Sequence, residues 1–343
     1  MRAQPRRGVM VCMAAIAVTI VAATPVAQSR DARIDAATRV SLEMFEQWLL
    51  PAPRLSPPVP PTSAWPSAPS TMDVEAQVAF EIARRYWSRQ PPQPLMDGAA
   101  RYLQSRAVGR MFDLAFGRAG NGVESIRLFG GAWTIAFPRL RFDGPGAGLG
   151  RGDLGTLRAR GALAFASLER VVGQPRLIGA LRSAIESKPA TDSDLSRALG
   201  EALAQDVTWL FEPAIDPLQS MNYRIASVRV DGCSPAPCQR VLVEVVHDGP
   251  AVFKDLEVRV DFEDGQSASA GWDGRDPVRI FTFEGPAPPV RVRVDPDMRN
   301  LLDDNLLDQS REFGGGTNAP ITKWVARWTV WLQDAMLTYG ALV

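Results

Sequence analysis

Apolar residues recur at helical spacing through most of the chain up to residue 217. After Asp73, for example, Val74, Val78, Ile82 and Tyr86 fall every fourth residue on one stripe, which is typical of a helix with one buried face. Prolines at 91 and 92 end this pattern, because proline lacks an amide donor and clashes with the preceding turn. Similar spacing predicts helices over residues 35–50, 95–116, 160–172 and 176–187, and a capped helix from Thr191 or Asp192 towards Ala204, followed by buried bulk at Trp209 and Phe211.

The period changes to two between Asn222 and Asp295. Short runs of alternating apolar and polar residues are separated there by turn residues, a pattern typical of antiparallel strands. Such strands at this spacing predict a small antiparallel β-sandwich. The runs cover residues 223–230, 240–246, 256–262, 267–272, 278–283 and 290–294. We therefore expect an α+β protein, in which a mostly helical part precedes the sandwich.

The first residues have the pattern of an export signal. Arginines precede a short apolar run from Val9 to Ala23, and small residues suited to cleavage stand at Ala23 and Ala27. This predicts a signal peptide over 1–27 and an exported protein, periplasmic or extracellular. An uncleaved membrane anchor is the alternative. Residues 28–72 would then hold the first helix and a proline-rich linker.

The last segment, 313–343, predicts an amphipathic helix rich in tryptophan. Trp324, Trp328 and Trp331 fall on one face, and the opposite face carries Lys323 and Arg327, which argue against a spanning helix. Such a stripe suits either a membrane interface or a groove on a protein, including this chain's own body. The remaining domains are expected at 73–217, which is helical, and at 218–312, which is the sandwich.

Charge and cysteine content narrow the classes of partner. Lys plus Arg and Asp plus Glu number 38 each, so there is no basic surplus for neutralising phosphates, and we expect no nucleic-acid partner. Cys12 lies inside the predicted signal. Cys233 and Cys238 are separated only by Ser-Pro-Ala-Pro, and an exported compartment permits a disulfide there. A metal site at this pair is the weaker alternative.

Several blocks of sequence, in order, resemble the gluzincin zinc aminopeptidases, the family of alanyl aminopeptidase and leukotriene A4 hydrolase. Residues 78–87, VAFEIARRYW, resemble the HExxH zinc helix, and residues 94–102, PLMDGAARY, resemble the segment that supplies the third ligand. Residues 160–165 resemble the start of the helix that follows in the family, and residues 206–211 resemble its D-L-x-W-F-F element. Blocks between 222 and 310 are similar to the β-domain of bacterial members. The resemblance implies a truncated helical remnant of the catalytic domain followed by a β-sandwich.

The zinc ligands of the family are missing from the matching positions. Phe80 stands at the first histidine position and offers no lone pair, and Arg84 stands at the second and is a permanent cation. Asp97 falls at the third ligand position, but closer in sequence than the family's spacing. Glu81 matches the general base, and the tyrosine position falls near Arg158. We therefore expect no catalytic site, no cofactor, and an Arg84 guanidinium that takes the place of the zinc charge and pairs with Glu81 or Asp97.

Other chemistry finds little support in the residues. His247 is the chain's single histidine, so a two-histidine metal site is excluded by counting, and its Asp248-Gly249-Pro250 neighbours predict a solvated turn. Three hypotheses remain. The first is a pseudo-aminopeptidase that binds a peptide or a protein. The second is an active zinc hydrolase with divergent ligands, and the third is an envelope-associated structural protein held at a membrane surface by its terminal helix.

Overall fold

Seven helices and seven strands lie within the residues that the computed structural model describes, which are 30–51, 73–87, 93–116, 154–216, 218–234, 237–306 and 308–313. The helices are α1 Arg30–Trp48, α2 Asp73–Arg84, α3 Pro94–Phe116, α4 Leu154–Val172, α5 Gln174–Glu186, α6 Asp192–Leu203 and α7 Thr208–Ile215. The strands are β1 Asn222–Gly232, β2 Gln239–Asp248, β3 Leu256–Phe262, β4 Ser267–Trp272, β5 Val278–Gly285, β6 Pro289–Val294 and β7 Ser310–Glu312. The fold is α+β, with helices first and antiparallel sheets after them.

An aromatic and aliphatic core holds the helices together. Phe165 of α4 lies between Tyr102 of α3 and Phe211 of α7, with ring centroids 6.1 and 4.9 Å away. Phe45 of α1 and Ile82 of α2 are fully buried in the same core. Tertiary burial of one face of each helix therefore stabilises this part of the molecule. None of the described helices is both long and apolar enough to cross a membrane.

Helix α7 was not predicted, because Pro213 lies inside it. Proline there removes one amide donor from the last turn, yet the helix persists because Leu210, Phe211, Pro213 and Ala214 are all buried. Phe211 supplies the buried bulk that the sequence predicts, whereas Trp209 is half-buried. Helix α4 also begins six residues before its predicted start, at Leu154.

Two antiparallel sheets make up the second part. Their strand orders are β1-β2-β5 and β4-β3-β6-β7, and the six predicted strands fall on β1 to β6 with differences of one or two residues at the ends. Rings from both sheets meet between them: Trp272 lies 5.3 Å from Tyr223 and 5.9 Å from Phe281. Strand β7 was missed because three residues are too few to show a period.

The loop after β6 joins the sheets to the helices. Leu301 N donates to Ser167 Oγ of α4 at 3.0 Å, and Asp303 Oδ2 accepts from Tyr223 N at the start of β1 at 2.8 Å. Arg160, which is buried on α4, lies 3.8 Å from Asp304 of this loop. One loop thus contacts both parts. The expected division into domains at 217 and 218 stays a prediction.

Candidate functional site

Helices α2 and α3 bring together the residues at which the sequence indicates a remnant of a zinc site. Phe80, Glu81 and Arg84 lie on α2, and Asp97 lies in the first turn of α3. Arg84 Nε is 3.5 Å from Asp97 Oδ1. The side chain of Asp97 is 5% exposed and that of Arg84 is 40% exposed. Because a buried carboxylate is costly without a countercharge, this contact with Arg84 offsets part of the cost of burying Asp97.

Glu81 and Phe80 have other neighbours. Glu81 Oε1 accepts a hydrogen bond from Gln77 Nε2 at 3.0 Å, one turn earlier on α2. The guanidinium carbon of Arg101 lies 5.4 Å from the centre of the Phe80 ring, which is a cation–π distance. Of the two carboxylates offered to Arg84 by the sequence hypothesis, the structure brings Asp97 into contact. An aromatic ring therefore lies beside a cation at position 80.

A second carboxylate, Asp192, holds the start of α3. Its two carboxyl oxygens accept from Leu95 N at 3.0 Å and Met96 N at 3.1 Å, so it satisfies amides that the first turn of a helix leaves unpaired. Burial raises the pKa of Asp192, the two amides lower it, and the nearby Asp97 raises it further. Sequence reasoning missed this role because 97 residues separate Asp192 from Leu95.

Two glycines set the distance between α3 and α4 next to Asp97. A Cβ atom placed on Gly98 would lie 2.7 Å from the Cα and carbonyl carbon of Gly161, and one on Gly161 would lie 3.0 Å from Pro94 O. The two helix backbones therefore approach as closely as glycine allows. This crossing fixes the first turn of α3, and with it the position of the Asp97 carboxylate.

A partly buried polar network lies one turn further along α3. Tyr102 Oη donates to Glu169 Oε2 of α4 at 2.6 Å, and the Arg106 guanidinium donates to the same oxygen. Burial, followed by the charge of Glu169, raises the pKa of Tyr102, so its hydroxyl stays protonated and remains a donor. The network ties α3 to α4. Only the four-residue spacing of Tyr102 and Arg106 was visible in the sequence.

The prediction of a solvated histidine was wrong. His247 is 8% exposed on the last rungs of β2, and its ring stacks on Tyr223 with centroids 4.4 Å apart. Its Nε2 lies 2.8 Å from Ala251 O, to which it donates. The alternation of β2 puts every second side chain inside, and His247 continues this buried row after Val245. It contributes to the core between the sheets.

The pair Cys233 and Cys238 forms a disulfide at the end of the β1–β2 hairpin. Cys233 N also donates to Cys238 O at 3.0 Å, and the adjacent rung pairs Gly232 with Gln239. The bond therefore closes a short hairpin loop whose strands are already in register.

Some predicted residues lie outside what the structure describes. The side chain of Arg158 is one, and Trp324, Trp328 and Trp331, the signal at 1–27 and most of the proline-rich linker are others. Within the described part of the chain, no group of three or more His, Cys, Asp or Glu side chains could hold a metal ion. The residues around Asp97 offer instead a half-buried ion pair with Arg84, a carboxylate at Glu81 and a guanidinium at Arg101.

Comparison with known proteins gives a distant likeness to solved structures. No family model matches the chain, and no curated protein matches it. Among solved structures, the chain is similar to an aminopeptidase A from Legionella pneumophila, crystallised in complex with aspartic acid, at a TM-score of 0.48 and 12% identity. The match covers 79% of this chain and 34% of that one, so the chain spans about a third of its neighbour's length.

Proposed function

We propose that this chain is a pseudo-aminopeptidase: an exported protein with the remnant of a gluzincin catalytic domain that binds a peptide or a protein without cutting it. The observation that carries the proposal is the ion pair between Arg84 and Asp97. By the resemblance, these two positions would ligate zinc. A guanidinium cannot donate a lone pair to a metal and repels it by charge, so the same carboxylate that would bind zinc binds Arg84 instead.

Without a metal, Glu81 has no metal-bound water to activate. In the family, the matching glutamate activates a metal-bound water, whereas an isolated carboxylate has no acidified water to deprotonate. Phe80 adds a further obstacle, because an aromatic ring beside Arg101 stands where a ligand is needed. The replacement of both histidine positions, by Phe80 and Arg84, therefore points to the same loss, which is what supports a non-catalytic protein.

The charges left at the site suit binding. Arg84 is 40% exposed, so part of its guanidinium faces solvent while Nε contacts Asp97. A half-exposed guanidinium binds carboxylates through charge-assisted hydrogen bonds, and Glu81 on the same helix offers the opposite charge. Peptides carry both charges at their termini and side chains. We therefore favour a peptide segment as the ligand of this surface.

Export is supported by two features. The N-terminal pattern is that of a signal peptide, and the Cys233–Cys238 disulfide is stable in an oxidising compartment such as the periplasm. Both features fit a protein that meets peptides outside the cytoplasm. Mass spectrometry of the mature N-terminus in the native host tests this part of the proposal, with cleavage near Ala23 or Ala27 as the expected result.

Turnover and binding together test the function. We expect the wild-type protein to hydrolyse aminoacyl fluorogenic substrates no faster than its Glu81→Gln variant, with or without added zinc. We also expect immobilised wild-type protein to retain peptides from a randomised library, and Arg84→Glu to reduce that retention about tenfold by reversing the charge. Turnover that a chelator and Glu81→Gln both abolish would establish the active zinc hydrolase instead.

A further inference from the structure

Strand β4, Ser267–Trp272, forms one edge of the four-stranded sheet. It pairs with β3 along its whole length without a shift in register, and no described residue pairs with its other side. Three of its residues, Ser267, Ser269 and Gly271, are exposed. One side of this strand is therefore open to a further strand.

The backbone groups on the open side of β4 belong to these three exposed residues. Phe262 N donates to Gln266 O at 2.9 Å just before β4, and hydrogen-bonded pairs recur at every second residue of an antiparallel ladder. Ala268 and Ala270 therefore turn their amides and carbonyls to β3. The three exposed residues turn theirs away from β3. The edge thus offers three amides and three carbonyls to an added strand.

The other three sheet edges are each protected against strand addition, whereas β4 is not. Strand β1 has a shift in register after Ile225, and the amide of Ile225 already donates to Asp308 O. On β5, Arg279 lies opposite the buried Val245 and so brings a charge to the core face, with its guanidinium carbon 5.2 Å from the centre of the Phe281 ring. Strand β7 has three residues, two of them charged. Bulges, inward charges and short length are the usual means of blocking an edge, and β4 has none of them.

The size of the edge favours a single peptide segment over a second copy of the chain. Strand β4 has 6 residues and is about 20 Å long, and a sheet with its side chains is about 10 Å thick, so the edge presents about 200 Å². Two folded copies need roughly 1,200 Å² of total buried surface for a stable interface. A peptide, by contrast, binds through the main-chain hydrogen bonds of an added strand, for which a short edge suffices.

We propose that the open side of β4 binds an extended, uncharged peptide segment of about six residues, which adds to the sheet as an antiparallel strand. Strand β4 itself carries no charged residue. The charged side chains beside it on the outer face of β3 already have partners, since Arg259 pairs with Glu257 and Asp261 pairs with Arg293. A charged segment would therefore gain no new countercharge from these side chains. This site lies on a different part of the fold from Arg84 and does not depend on the proposed function.

The two faces of β4 determine which side chains such a segment would carry. Directly opposite residues of an antiparallel pair point to the same face of the sheet. Segment residues that bond to Ser267, Ser269 and Gly271 would lie on the outer face, where small hydroxyl side chains suit the solvent. The residues between them would lie beside Ala268 and Ala270, which are half-buried against the core, so β-branched apolar side chains would extend that core. The expected ligand alternates hydroxyl and apolar β-branched residues, as threonine and valine do.

Fluorescence anisotropy of a neutral probe tests this site in the full chain. The probe is the amidated hexapeptide Thr-Val-Thr-Val-Thr-Val with an uncharged fluorophore on its N-terminus, so it offers no carboxylate to Arg84. We expect Ser269→Pro to weaken binding about tenfold, because proline removes an outward amide while the pairing of β4 with β3 is kept. Ser269→Ala keeps the amide and is the matched control, which should bind as the wild type does.

Methylated probes test the same contact on the wild-type protein, so the result does not depend on the folding of a variant. N-methylation of the central threonine removes an amide that would face β4, and we expect binding about tenfold weaker. N-methylation of the central valine removes an amide on the far side of the added strand, and the affinity should stay within about twofold.

Three kinds of result would overturn the proposal. Equal affinity of the two methylated probes, or undiminished binding by Ser269→Pro, would show that no strand is added at β4. Loss of binding in Arg84→Glu, with Ser269→Pro unaffected, would assign the probe to the site around Arg84. A concentration-dependent dimer in analytical ultracentrifugation that Ser269→Pro dissociates would assign the edge to a second copy.

Discussion

The helical part and the sheets handle their charged residues in opposite ways. Among the helices, three buried or half-buried carboxylates have specific partners: Asp97 with Arg84, Asp192 with two amides of α3, and Glu169 with Tyr102. In the sheets, the core is apolar and aromatic, and most ion pairs lie on the outer faces. Charges buried among helices are costly and are often retained for a site, whereas surface pairs mainly maintain solubility.

The positions of the buried carboxylates follow from this contrast. Two buried carboxylates, Asp97 and Asp192, lie at the start of α3, next to the residues that resemble a zinc site and to the Gly98–Gly161 crossing. The other buried carboxylates among the described residues, Asp295 and Asp303, lie in the loop after β6 and not on the sheet faces. We therefore expect substitutions among the helices to affect both stability and the proposed ligand site, and equivalent substitutions on the sheet surfaces to be nearly silent.

The largest effect is expected at the helix crossing. Gly98→Ala places a methyl group 2.7 Å from the Gly161 backbone, and neither helix can yield by moving a side chain. We expect it to lower the free energy of unfolding by about 3 kcal/mol or more in urea denaturation. Gly109→Ala, on the same helix with no atom within 4 Å, is the control and should be neutral or stabilising by about 0.5–1 kcal/mol. Equal effects for the two would show that the crossing is not tight.

The joint between the two parts should respond to pH. Burial raises the pKa of Asp303 to about 6, although amides of Tyr223 and Asn305 that donate to it act in the opposite direction. The folded state therefore binds the proton more tightly than the unfolded chain does, and the stabilisation is lost as pH rises from about 4 to 6. We expect the free energy of unfolding to fall by about 2–3 kcal/mol over this window. Asp303→Asn should remove most of this slope, and an unchanged slope would contradict the assignment.

Breaking the Arg84–Asp97 pair should have the next largest effect. Arg84→Ala leaves the buried Asp97 without this countercharge, and water compensates in part because the Arg84 side chain is 40% exposed. We expect a loss of about 1–2 kcal/mol in urea denaturation. The double variant Arg84→Ala with Asp97→Asn should recover much of that loss, since no charge is then buried. Full stability of Arg84→Ala alone would count against the pairing.

The smallest effect is expected for an ion pair on the sheet surface. Arg240 and Glu284 form the same type of contact at 3.0 Å, with side chains 49% and 55% exposed. Arg240→Ala should change the free energy of unfolding by no more than about 0.5 kcal/mol, because water screens the pair. A change in the free energy of unfolding as large as that of Arg84→Ala would contradict the difference proposed between the helices and the sheets.

The strands were largely predictable from sequence, because alternation and turn residues are visible within short stretches of the chain. Alternation along β2 and β3 shows which residues are inside, and turn residues mark where each strand ends. The same alternation places His247 in the buried row of β2, whereas the Asp248-Gly249-Pro250 turn that follows predicts a solvated residue. Helices α2 and α3 were also predictable from sequence, and so were Glu81 and Asp97 as the two candidate partners of Arg84.

Other features depend on contacts between distant residues and leave no local pattern. Asp192 caps α3 across 97 residues, and the closeness of Gly98 to Gly161 depends on the crossing of two helices. Helix α7 persists around Pro213 because the surrounding core covers it. Propensity alone argues against that helix, and burial reverses the outcome.

Equilibrium zinc binding tests the central claim most directly, namely that Arg84 takes the place of a metal ion beside Asp97. The mature wild-type protein and its Arg84→His variant are incubated with zinc, dialysed, and analysed for metal per chain. The account predicts no stoichiometric zinc in either protein, because Phe80 still offers no lone pair and one histidine does not complete a ligand set. One tightly held zinc per wild-type chain, lost on substitution of Glu81 or Asp97, would contradict it.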